Sequence, residues 1–181
     1  YVAWRREDDD RIELVPERTR YAPGETARIM VQSPYEEATA LITVEREGIL
    51  SSRVTTLTGS TPQIEVPLTE EHLPNAFVSV MLWTGRTAAP DASGDPGAPG
   101  FKIGYAALRV DAGRRHLHVE VSPDQRQYRP GEEVTVDLQL RDATGDGVPG
   151  EIAFSAADAG VLNLIGYRLP DPFDTFYGPR P

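Results

Sequence analysis

The pentapeptide Tyr128-Arg-Pro-Gly-Glu132 constrains this chain more than any other stretch, because Tyr21-Ala-Pro-Gly-Glu25 repeats it at an offset of 107 residues. Pro16 and Pro123 keep the same offset, as do Pro23 with Pro130, Gly24 with Gly131 and Glu25 with Glu132. Downstream, Ala27, Ile29 and Val31 stand against Val134, Val136 and Leu138. A period of about 100 residues is too long for a solenoid repeat and suits one small domain. In each copy Pro sets φ at the first central position of a turn, and Gly accepts the positive φ of the second, as a type II turn requires. The alternating apolar residues that follow predict a half-buried strand. The sequence therefore predicts two consecutive β domains, each entered through the same corner.

Composition agrees. The 181 residues are 39% hydrophobic, enough for modest cores, and carry 16 Pro and 16 Gly, with no long apolar period of 3.6. A formal net charge of −10 argues against nucleic acid and anionic membrane surfaces as partners. The basic residues are nearly all Arg, with Lys102 the sole lysine. Absence of Cys excludes disulfides, thiolate nucleophiles and Cys-based zinc sites within the chain. No run approaches the ~20 apolar residues of a membrane span, so direct membrane insertion is not expected. The opening Tyr1-Val-Ala-Trp4 reads as the interior of a longer chain.

Residues 1–111 read as a complete β-sandwich with an N-terminal extension. The acidic run Glu7–Asp10 offers the oxygen ligands of a calcium site, but a solvated turn is the plainer reading. Strands are predicted over 12–15, 26–32, 38–46, 49–57, 64–68, 76–83 and 102–110, with Glu47-Gly48 as a tight hairpin connection. The Ala/Pro/Gly/Asp-rich stretch from Thr84 to Phe101 buries little and reads as a mobile surface insertion in a hairpin. About seven strands in about 100 residues is the size and punctuation of an immunoglobulin-like or fibronectin-III-like sandwich.

After a linker at 112–115, residues 116–181 open a second sandwich. Strands are predicted over 117–121 and 134–140, followed by a hairpin of 152–157 with 161–165 around Asp158-Ala-Gly160. Asp142–Gly147 looks superficially like a calcium loop, but its twelfth position is Ala153 rather than Glu, which favours an Asp/Gly turn. About four strands precede Tyr167–Pro181, where prolines and a glycine break any ladder. The second sandwich is predicted to be incomplete, so the fold class is all-β: tandem sandwiches, the second unfinished.

Chemistry is sparse. No phosphate-binding glycine loop, nucleophile elbow or HExxH motif occurs. His116-x-His118 sets two imidazoles on one face of a strand, yet no third ligand stands nearby, and surface histidines are the plainer reading. No catalytic residue, metal or cofactor is expected, and the chain is not expected to be an enzyme.

Several runs resemble the macroglobulin domains of the bacterial alpha-2-macroglobulin family: Tyr21-Ala-Pro-Gly-Glu-Thr-Ala27, Val31-Gln-Ser-Pro34, Leu41–Gly48, Pro74–Val80 and Gly104–Asp111. The most specific is Glu151-Ile-Ala-Phe-Ser-Ala-Ala-Asp-Ala-Gly-Val-Leu162, with Gly166-Tyr167, Pro170-Asp-Pro172 and Phe176-Tyr177 beyond it; Ala159 stands where the family commonly has an acid. The resemblance implies macroglobulin-type sandwiches within a large, multi-domain trap for endopeptidases. In such a trap a protease cuts an exposed bait segment and is enclosed by the rearranging molecule. It implies a bait segment inserted into the second domain, approached through Asp158, Gly160, Pro170, Asp171, Pro172, Phe176 and Tyr177, with the chain ending where that insertion begins. The implied partners are target endopeptidases, met through the intact protein, and neighbouring macroglobulin domains of the same chain. The implied location is the periplasm or cell envelope. Two other classes compete: a surface adhesin or binding module of repeated sandwiches, and an accessory domain pair of a secreted glycosidase or peptidase. Adhesin repeats would be complete, whereas an interrupted domain resumes after its insertion.

Overall fold

A computed structural model describes residues 10–90, 92, 94–95, 97–168 and 170–181. Of the acidic run, Glu7, Asp8 and Asp9 lie outside the described residues, as do Tyr1 and Trp4 of the N-terminal extension. The chain falls into two units; one ends at Asp111 and also includes Pro179–Pro181, and the other is Ala112–Gly178.

The first unit is a two-sheet sandwich. Its smaller sheet is antiparallel in the order β1-β3-β6, with β1 Leu14–Pro16, β3 Thr26–Val31 and β6 Gln63–Pro67. The larger runs β2-β8-β7-β4-β5, with β2 Arg20–Tyr21, β4 Glu37–Glu45, β5 Ile49–Thr58, β7 Asn75–Thr84 and β8 Gly100–Val110. Period-two alternation sends one face of each strand inward. Ala27, Ile29 and Val31 of β3 thus meet Ile42, Val78, Val80 and Leu108 of the larger sheet in one core. Each fully buried Val, Leu or Ile contributes about 1.5–3 kcal/mol of transfer free energy. The seven expected strands are present within a residue or two of their predicted ends. The two-residue β2, parallel to β8, was not foreseen, because two residues carry no periodicity. The β4–β5 turn places Glu47 at φ 54 and Gly48 at φ 156. The 84–100 stretch joins β7 to β8 as a hairpin connection, gathered by a two-bond pairing of Arg86 with Asp95 at 2.6 and 3.0 Å.

In the second unit β9 His118–Pro123 pairs antiparallel with β10 Val136–Arg141. Two six-residue helices follow, α1 Ala159–Leu164 and α2 Pro172–Tyr177. No described residue beyond Ala112 is buried. The all-β sandwich fold is therefore carried by the first unit, while the second contributes one described strand pair and no closed core.

Two expectations need correction. The hairpin of 152–157 with 161–165 is absent; no strand is described there, and Asp158 caps a helix instead. A short apolar run is ambiguous between strand and helix, and with no neighbouring strand to pair with, the cap decides. Residues 179–181, assigned by sequence to the second domain, group with the first unit.

Candidate functional site

The repeated corner is the same structure twice. Tyr21 Oη accepts the Arg18 N–H at 3.2 Å, and Tyr128 Oη accepts the Gln125 N–H at 2.8 Å. Glu25 Oε2 accepts from Ala22 N at 2.7 Å, and Glu132 Oε2 from Arg129 N at 2.8 Å. Gly24 and Gly131 take φ of 92° and 87°, the left-handed conformation that a Cβ disfavours. Pro23 and Pro130 precede them at the position where a fixed φ is an advantage. Strand register repeats too: Leu14 opposes Val31 and Pro16 opposes Ile29, as Val121 opposes Leu138 and Pro123 opposes Val136. Glu17 N donates to Arg28 O at 2.9 Å, and Asp124 N donates to Thr135 O at the same distance.

The two corners differ in electrostatics. The Ala22 N–H, and then Arg18, hold the Glu25 carboxyl below its ordinary range. In the second copy the Tyr128 hydroxyl donates to Asp124 Oδ1 at 2.5 Å and draws that carboxyl down. Tyr128 itself is pushed up, by burial first and then by the Asp124 bond.

Beyond β10 the chain is organised locally. Asp142 Oδ1 accepts from Thr144 Oγ1 at 2.6 Å, Thr144 N at 2.9 Å and Asp146 N at 3.1 Å, so its carboxylate staples its own turn. The Thr144 hydroxyl leads in lowering its pKa. Asp158 Oδ1 accepts from Gly160 N at 2.7 Å and Val161 N at 3.2 Å, capping α1. Asp171 Oδ1 accepts from Phe173 N at 2.9 Å with Pro172 opening α2, a preferred pairing of cap and first helical residue. Gly160, Pro172, Phe176 and Tyr177 thus lie in two short helices that Asp158 and Asp171 cap, with Pro170 between them; Tyr177 is half-buried and the others are exposed. The structure does not gather them into one pocket. His116 stacks on His118 at 4.7 Å and lies against Phe173 at 4.7 Å, which meets Tyr177 at 4.8 Å. Asp171 Oδ2 is 3.9 Å from His116 Nε2. The two imidazoles are therefore part of an aromatic stack that seats α2. Among the described residues no group of three His, Asp or Glu side chains is arranged to hold a metal ion.

Two features of the first unit were missed by sequence. An open cleft of about 360 Å³ lies between β5 and β6, lined by Ile42, Val44, Leu50, Arg53, Glu65 and His72 among others. His72 is 8% exposed, and burial lowers its pKa. The second is Asn75, whose amide bonds the backbone of Arg180. Neither an isolated Asn nor an isolated His carries a pattern from which such a partner could be read.

The alpha-2-macroglobulin bait region domain family matches residues 12–164. An alpha-2-macroglobulin homolog of Nostoc sp. is 33% identical over 182 residues, covering 99% of this chain and 9% of that protein. The alpha-2-macroglobulin of Ralstonia nicotianae is 29% identical over 180 residues, covering 93% of this chain and 10% of that protein. The crystal structure of trypsin-activated alpha-2-macroglobulin from Escherichia coli superposes with a TM-score of 0.50 at 21% identity, over 94% of this chain and 11% of that chain, a likeness of fold. With the two packed sheets of the first unit, these findings define a macroglobulin-type β-sandwich. The chain belongs to the alpha-2-macroglobulin bait region domain family. It spans about a tenth of the length of the curated relatives it matches.

Proposed function

We propose that this chain is a segment of a longer, broad-spectrum endopeptidase inhibitor, in which it supplies scaffold and the approach to a cleavable bait. The observation that carries the reading is the match of residues 12–164, across both units, to the bait region domain family. A physical feature supports it. From Gly113 to Gly178 no described residue is buried, and beyond Arg141 no strand is described. Proteases need accessible chain that can be drawn out into an extended form, and exposed chain with few packing contacts is where nicking concentrates. The exposed residues from Asp158 onward have that character, with Phe176, 63% exposed, as a side chain a protease can select. The segment itself performs no catalysis in this reading; its partners are endopeptidases and further macroglobulin domains of the same protein. The same reading locates the intact protein in the periplasm or cell envelope.

The test is brief digestion of the full-length protein with several endopeptidases of unrelated specificity, followed by mapping of the first cuts. Cuts clustered at or beyond Asp158 support the bait reading. First cuts confined to the 84–100 connection would instead favour a surface-binding module.

A further inference from the structure

Asn75, at the head of β7, is a buried polar side chain, 5% exposed. Its Nδ2 donates to Arg180 O at 2.7 Å, and its Oδ1 accepts from Arg180 N at 2.7 Å. A primary amide carries the same donor and acceptor as a peptide unit, so Asn75 pairs with one residue's backbone as a neighbouring strand would. The next residue is held by the β4–β5 turn, where Glu47 N donates to Pro181 O at 3.1 Å. The Glu47 carboxylate lies 3.7 Å from the Arg180 guanidinium. All of these residues belong to the first unit.

We propose that Asn75 and Glu47 form a notch that grips extended backbone, that its occupant is the segment Pro179–Pro181, and that the grip restrains how freely the chain beside it can be drawn into a protease. The last clause rests on the bait reading above; the first two do not. Recognition is mainly of backbone. The exposed Glu47–Arg180 pair contributes little, whereas removing the Asn75 amide takes this partner from both the N–H and the C=O of Arg180. Occupancy should therefore depend on Asn75 far more than on the side chain of residue 180.

Arg180 is the one residue of the three with an amide hydrogen, and it reports occupancy directly. Hydrogen exchange of the 181-residue chain at pH 7 should find this amide protected. Asn75→Ala removes both bonds. Asn75→Asp keeps the size and the acceptor but sets a carboxylate oxygen against the Arg180 carbonyl. Each should speed Arg180 exchange by about tenfold or more, the scale of a lost buried hydrogen bond, while Val78 and Val80 of β7 stay unchanged. Arg180→Ala should stay within about threefold of the wild type, as an exposed ion pair allows. Should a variant also loosen Val78 and Val80, the wild-type Arg180 amide decides: protection supports the notch, and exchange at the unprotected rate overturns it. Equal rates in wild type and both Asn75 variants likewise overturn it. No protease enters this measurement, so the notch and the bait reading can fail separately.

Discussion

Tyr21 and Tyr128 accept the same hydrogen bond, each from the backbone N–H three residues earlier, at 3.2 and 2.8 Å. Their surroundings differ. Tyr21, on the edge strand β2 of a five-stranded sheet, is 1% exposed, whereas Tyr128 is half-buried on a hairpin whose Val121 is 55% exposed. The corner is thus set by local sequence and does not need a finished sandwich behind it.

Removing the two hydroxyls should separate local from tertiary contributions. Tyr21→Phe leaves the Arg18 N–H without this acceptor in a part-buried place and should cost about 0.5–1.5 kcal/mol by urea denaturation. Tyr128→Phe should cost less, since water reaches that site. It should also let the Asp124 carboxyl return toward its ordinary range, which a carboxylate NMR titration would read.

Gly24→Ala and Gly131→Ala test the repeat from the backbone side. A Cβ at either position meets nothing within 4 Å, so the penalty comes from the positive φ alone. Each should cost about 1 kcal/mol. The penalties should match within about 0.5 kcal/mol, the scatter of independent sites. A large loss at Gly24 with none at Gly131 would mean the corners are not equivalent in solution.

What the sequence made legible, and what it did not, divides along the range of the forces involved. Pro-Gly turns and alternating Ile/Val/Leu are short-range signals, and they located the first sandwich and both corners. Asp158-Ala-Gly160 also carries a local signal, an N-cap, but the apolar runs on either side of it read as the two strands of a hairpin. A hairpin needs two strands that stabilise each other, and no neighbouring strand is described at 152–157. Asp171-Pro172 is a comparable start signal, in a stretch that sequence reads as a ladder breaker and as part of the approach to the bait. The Asn75 contact with Arg180, 105 residues away, depends on tertiary placement that no single-chain pattern encodes.

His72 should make stability sensitive to mild acid. Its Nδ1 accepts from Thr69 N at 2.9 Å, which requires the neutral ring at that nitrogen, and burial lowers its folded pKa. The unfolded chain then binds the proton more readily, so stability is full above about pH 6.5 and falls as pH drops toward the folded pKa. Denaturation of wild type and His72→Gln at pH 7.5 and 5.5 should find a loss on acidification that the variant reduces. An equal loss in both would remove His72 as the cause.

Asp158→Ala and Asp171→Ala should fray α1 and α2. Isolated single-turn helices are marginal, and a lost cap costs about 1 kcal/mol of local stability. The expected readout is reduced far-UV helical signal with an unchanged thermal transition of the first unit. Unchanged helical signal in both variants would contradict the capping assignment.

The central claim, that this chain leads into the bait of a protease trap, is tested most directly by assaying the protease after it has cut the full-length protein. Trypsin and an unrelated endopeptidase should each be treated with the intact protein and assayed on a large protein substrate and a small peptide substrate. The account predicts that activity toward the large substrate falls at least about tenfold, an enclosure effect, while activity toward the small one is retained. Undiminished cleavage of the large substrate after the bait has been cut would contradict it.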